Sequence, residues 1–200
     1  MNYLNCRIFL AVAGAIFLLF PGYSGGGAAE SGGISMPVST QFELFRKILK
    51  FDRNLKTRAG NAVAVGVLFQ SSFRLSQVVK EQAIAALSDK NYTIEGIKVT
   101  PQEIDASKIT DLEKELRTRN ITLLYIAPTQ AFRLDELLRI TRSLKVLTLT
   151  GVPEYVAAGV SVGLGTEQDD RPKILINRTS AALEGADFQA YLLKLAKIYE

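Results

Sequence analysis

VLTLTGVPEYVAAGVSVGLG, residues 146–165, decides the fold. Val146-Leu147-Thr148-Leu149-Thr150 is apolar and rich in β-branched side chains, which predicts a buried strand. Gly151 and Val152-Pro153 end it, because proline has no N–H with which to continue a ladder. Residues 154–158 have room for one helical turn. Gly159 then releases the chain into a second strand over 160–164. A strand that stops at a glycine turn and a short helix is where open α/β sheets place their working surface.

The chain on either side repeats the pattern. Ala62-Val63-Ala64-Val65-Gly66-Val67-Leu68-Phe69 and Ile121-Thr122-Leu123-Leu124-Tyr125-Ile126 are apolar runs of strand length. Such runs belong to parallel sheets covered by helices on both sides. Residues 92–100 alternate apolar and polar, which predicts a strand with one wet face or an edge position. Helices are expected over 41–55, 73–87, 107–116, 131–143 and 187–199. The polar turn 166–172 joins strand 160–164 to a last strand, 173–177, as a hairpin, and Gly163-Leu164-Gly165 is read as part of that turn. The expectation is a single α/β domain. Its mainly parallel sheet has about six strands with helices on both faces, in the manner of flavodoxin or a periplasmic-binding lobe, and its C-terminal hairpin is antiparallel.

The N-terminus reads differently. Arg7 precedes a continuous apolar run, residues 8–20, which Pro21-Gly22 break. The run is shorter than the roughly 20 residues a membrane span needs. Small residues at Gly27-Ala28-Ala29 suit a signal peptidase. We therefore expect a signal peptide over 1–29 cleaved after Ala29, with an uncleaved N-terminal anchor as the alternative, a flexible linker over 30–36, and the α/β domain over 37–200. The protein would then be periplasmic. Cys6, the only cysteine, lies ahead of the apolar run. The mature chain would have no disulfide, and its core alone must stabilise it.

Composition narrows the chemistry. The 200 residues contain no histidine and no tryptophan. That excludes a Ser-His-Asp triad, a Cys-His pair and imidazole metal ligands. No metal, cofactor or catalytic residue is expected. A net charge of +4 gives no strong case for nucleic acid.

The candidate binding residues fall in three places. Ser71 and Ser72 follow the first strand and can cap the next helix or hold an anion on its N–H groups. Thr129, Thr150 and Tyr155 follow other strands and would share the same rim of the sheet, where a small ligand could sit. In the first helix Phe42, Phe45, Ile48, Leu49 and Asp52 form one stripe. Arg46, Lys47, Lys50 and Arg53 lie on the other side as a solvated basic face or a docking surface. The loop holding Pro153, Glu154 and Tyr155 is a second docking candidate, because tyrosine buries a ring and still hydrogen-bonds.

At residues 146–165, Ile174 to Asn177, Ala181-Ala182 and Leu192-Leu193-Lys194-Leu195-Ala196, the chain resembles the YfiR family, the DUF4154 group. Its opening helix FELFRKILKFDRNL is similar as well. The resemblance implies a periplasmic regulator without catalysis that binds and restrains an inner-membrane diguanylate cyclase or a related sensor kinase, in cyclic-di-GMP signalling. A homodimer is left open. Members of that kind often carry disulfides; this chain has no cysteine after Cys6, so disulfide-based redox sensing does not carry over. A small-solute-binding module linked to transport is the alternative.

Overall fold

The computed structural model describes residues 33–130, 133–167, 169 and 171–200, so the expected signal peptide and Cys6 lie outside the described residues. In chain order the elements are α1 (Val38–Leu49), α2 (Leu55–Ala59), β1 (Ala62–Phe69), α3 (Arg74–Leu87), β2 (Thr93–Ile94), β3 (Ile97–Asp105), α4 (Leu112–Thr118) and β4 (Leu123–Ile126). They continue as α5 (Leu134–Leu144), β5 (Leu147–Thr150), α6 (Pro153–Ala157), β6 (Val162–Thr166), β7 (Pro172–Asn177), α7 (Arg178–Leu183), α8 (Ala190–Leu195) and β8 (Lys197–Tyr199).

The strands form one sheet in the order β2-β3-β1-β4-β5-β6-β7-β8. β3, β1, β4, β5 and β6 run parallel, as the apolar runs predict. β6 and β7 form the antiparallel hairpin. The sheet has eight strands among the described residues rather than about six, because a short strand is added at each edge.

Alternation along the strands divides the core between two faces. Val63, Val65, Val67 and Phe69 of β1 join Leu123 and Tyr125 of β4 under α1 and α3, where Phe42, Phe45, Ile48 and Val79 meet them. Leu68, Leu124 and Ile126 point to the opposite face, against Leu116 of α4 and Leu137 and Leu138 of α5. Packing on that face is close. A Cβ at Gly66 would lie 2.8 Å from Ile104 Cδ1 and 3.0 Å from Leu124 Cδ1.

Local expectations are corrected at several places, beginning with the first helix, which ends at Leu49 rather than 55, and α4, which begins at Leu112 rather than 107. Residues 92–100 are not one strand: Glu95 (φ 53°) and Gly96 (φ 77°) turn the chain between β2 and β3. Two successive positive φ values make the tight turn that suits hairpins, and Glu95 is an uncommon residue for it. Ser71 and Ser72 do not cap α3; its N-cap is Phe73, without a side-chain cap. Gly163 and Gly165 stand inside β6 rather than in its turn. A Cβ at Gly163 would come within 2.3 Å of Val156 Cγ2.

The terminal helix is the largest correction. It occupies only Ala190–Leu195, and the chain then becomes β8, parallel to β7 with Ile198 in register with Ile176. The open edge of β7 offers hydrogen-bonding groups that a longer helix would leave unpaired. Leu192 is buried, whereas Tyr191 is 62% and Leu195 58% exposed.

Candidate functional site

The C-terminal ends of the parallel strands carry the loops that form the expected rim. Gln70, the first residue after β1, is their hub. Its Oε1 accepts from the Gln130 N–H at 2.8 Å and from Thr129 Oγ1 at 3.2 Å, and its Nε2 donates to Ser72 Oγ at 2.9 Å. Its own N–H donates to Ser76 Oγ at 2.9 Å. Asp105, at the end of β3, accepts from the N–H groups of Ser71 (3.1 Å) and Ser107 (3.0 Å) through Oδ1. Burial by itself would raise its carboxyl, but the hydrogen bonds from Ser71 and Ser107 and the neighbouring Lys108 outweigh it and hold the pKa down to about 2.

The Tyr155 hydroxyl closes the other half of the rim. It donates to the Thr129 carbonyl at 3.1 Å and accepts from the Thr129 N–H at 3.1 Å. Thr150 Oγ1 donates to the Ile126 carbonyl and accepts from the Val152 N–H. The rim does bring Ser71, Ser72, Thr129, Thr150 and Tyr155 together, as strands ending side by side require. It spends many of their polar groups on one another. The Ser71 N–H is taken by Asp105, and the Tyr155 ring is half-buried against the core under α5. Pro153 is half-buried and Glu154 is exposed, both in the first turn of α6.

The expected basic face is broken up, because α1 ends at Leu49 and leaves Lys50 at its C-cap and Arg53 in the turn that follows. Arg46 pairs with Glu43 and lies over the Tyr92 ring, 5.8 Å from its centroid. Arg53 pairs with Asp187. Lys47 and Lys50 are exposed.

Sequence reasoning missed a buried polar cluster on the α5 side of the sheet. Glu184 follows α7 and is completely buried. Its carboxylate accepts from Thr141 Oγ1 (2.6 Å), the Thr148 N–H (2.8 Å), Thr148 Oγ1 (2.9 Å) and Ser161 Oγ (2.5 Å). Burial raises its pKa, and the hydrogen bonds oppose that rise. The threonines that mark β5 as a strand carried this signal: alternate Thr148 and Thr150 on a buried strand require polar partners. Gln70 and Asp105 were legible only as loop residues. Among the described residues no group of three or more acidic, cysteine or histidine side chains could hold a metal ion.

The fold is a single α/β domain with a mostly parallel sheet and an antiparallel β6–β7 pair, and three solved structures share that architecture. One is a conserved domain protein from Vibrio cholerae, with a TM-score of 0.58, 15% identity, and coverage of 82% of this chain and 60% of that one. Another is an ABC domain in complex with L-Trp from Streptococcus pneumonia, at 0.57, 17%, 81% and 60%. A ligand-free, open substrate binding protein with adhesive properties from Clostridium difficile gives 0.54, 17%, 77% and 59%. The chain thus spans about three-fifths of their length, and at these identities the likeness is one of fold. No curated protein matches the chain. The model of the YfiR/HmsC-like family, DUF4154, matches residues 69–197, and the chain belongs to that family.

Proposed function

We propose that the protein is a periplasmic regulator without catalysis, which binds the extracytoplasmic part of an inner-membrane signalling enzyme and restrains it. The family supports a regulator of periplasmic type. Among the described residues no helix is long and apolar enough to cross a membrane. The partner is a diguanylate cyclase or a related sensor, with cyclic-di-GMP as the output.

The observation that carries this reading is the surface at the β8 end of the sheet. Tyr191 is 62% exposed, Leu195 58% and Ile198 37%. Tyr191 and Leu195 lie in α8 and Ile198 in β8, and among the described residues no further strand pairs with the outer side of β8. Exposed apolar side chains near an open edge favour an interaction surface, since either feature alone invites association. β-Strand addition supplies main-chain hydrogen bonds, and apolar anchors supply the selectivity. The rim loops are bonded to each other, so this edge fits a macromolecular partner better than the rim does.

Gene deletion followed by complementation tests the reading. Deletion should raise intracellular cyclic-di-GMP, and the wild-type gene should restore it. Leu195→Glu, accumulated to the wild-type level with an unchanged circular dichroism spectrum, should fail to restore it. Full complementation by Leu195→Glu would move the docking surface elsewhere. A deletion that abolishes uptake of one solute and leaves signalling unchanged would replace the regulator with the solute-binding alternative.

A further inference from the structure

A second feature lies at the opposite end of the sheet, before the N-terminal ends of β4 and β5. α4 and α5 both end there in the same way. The Ile121 N–H bonds back to the Leu116 carbonyl and that of Asn120 to Arg117. The Val146 N–H bonds back to Thr141 and that of Lys145 to Arg142. These are paired Schellman ends, whose left-handed position is normally glycine. Here it is Asn120 (φ 51°) after α4 and Lys145 (φ 58°) after α5. A lysine is less favourable than a glycine in that conformation.

Between these two ends lies a groove of about 470 Å³, a volume within the usual range of small-ligand sites. Ile121 and Val146 line it together with Arg58, Arg117, Lys145 and Asn120, and its lining includes no carboxylate. Two of the cations have partners: Arg117 pairs with Glu113, and Lys145 Nζ donates to the Leu183 carbonyl.

Arg58 is the deciding residue. Its side chain is only 11% exposed. One nitrogen, Nη2, pairs with the buried Asp52. Its Nε and Nη1 have no acceptor and almost no exposed surface, so the side chains around them must shift before an anion in the groove can reach them. Buried guanidinium donors left unbonded are costly and call for an explanation. No acceptor among the described residues, helix-end carbonyls included, takes a hydrogen bond from either atom.

We propose that this groove binds a small oxyanion, a phosphate or carboxylate group on a compact body, through the free Nε–H and Nη1–H of Arg58 with Lys145 and Arg117 beside it. A guanidinium presents two parallel donors that match either group. The site is distinct from the β8 edge, and neither reading depends on the other.

The test titrates the purified protein with inorganic phosphate and, separately, with succinate, against sodium chloride at equal ionic strength. The readout is the Arg58 Nε–H signal by NMR. One of the two anions should shift that signal saturably in the millimolar range, and which one does so names the group. Lys145→Gly should weaken binding at least tenfold, yet melt no lower than wild type in anion-free buffer, because glycine suits the left-handed position. Should that variant fail to fold, Arg117→Gln, on an exposed side chain, should weaken binding in the same direction. No saturable shift with either anion, an equal response to chloride, or unchanged titration of the folded variants would overturn the proposal.

Discussion

Glu184 accepts both the backbone N–H and the side-chain hydroxyl of Thr148, at 2.8 and 2.9 Å, and so fixes the segment after α7 to the middle of β5. Thr141 and Ser161 complete the cluster, which ties α5 and the start of β6 to the same carboxylate. Glu184→Ala should destabilise the protein by ~3 kcal/mol or more, because it leaves a buried strand N–H and buried hydroxyls without their acceptor. Urea denaturation of wild type and variant measures this.

The same residue gives a pH dependence. Its folded pKa is raised, so folding takes up the protonated form preferentially. The stability it contributes is fully present below its unfolded value of about 4.3 and is lost as the pH rises through the folded value. Between pH 4 and pH 8 the wild type should lose stability relative to Glu184→Gln, which does not titrate. Denaturant midpoints across that range check the sign.

Asp105 acts in the opposite direction. Its pKa is lowered to about 2, so its contribution is present above its unfolded value of about 3.9 and is lost as the pH falls towards 2. Asp105→Asn should therefore melt lower than wild type near neutral pH, and the gap should close between pH 4 and pH 2. Thermal unfolding in that window is the measurement.

Two leucines three residues apart should respond differently. Leu192 is buried at 1% exposure, and Leu192→Ala should cost about 2–5 kcal/mol. Leu195 is largely exposed, and Leu195→Ala should cost less than about 0.5 kcal/mol. Equal costs from equilibrium unfolding would mean that α8 extends further than Leu195.

Tyr155→Phe removes the hydroxyl that ties α6 to the β4–α5 loop through Thr129. The expected loss is about 1 kcal/mol, with faster hydrogen exchange at the Thr129 amide. Unchanged exchange there would show that the bridge does not hold the loop.

The sequence by itself determined the parallel centre of the sheet. β1 and β4 are apolar on both faces, and only a strand covered by helices on both sides can bury such a run. It also determined the β6–β7 hairpin and the family, whose features lie in contiguous residues such as 146–165. What the tertiary structure decided rests on contacts between distant residues or on competition between local preferences. The leucine spacing of residues 187–199 fits a helix, but the unpaired edge of β7 recruits Lys197–Tyr199 as a strand and turns Leu195 outward. Glu184 reads as a surface glutamate until β5 and β6 bring Thr148 and Ser161 around it. Arg58 lies far in sequence from Asn120 and Lys145, and only the sheet order places β4 and β5 side by side so that one groove meets all three. Periodicity records which side of an element is apolar; it does not record which polar groups the fold will bury together.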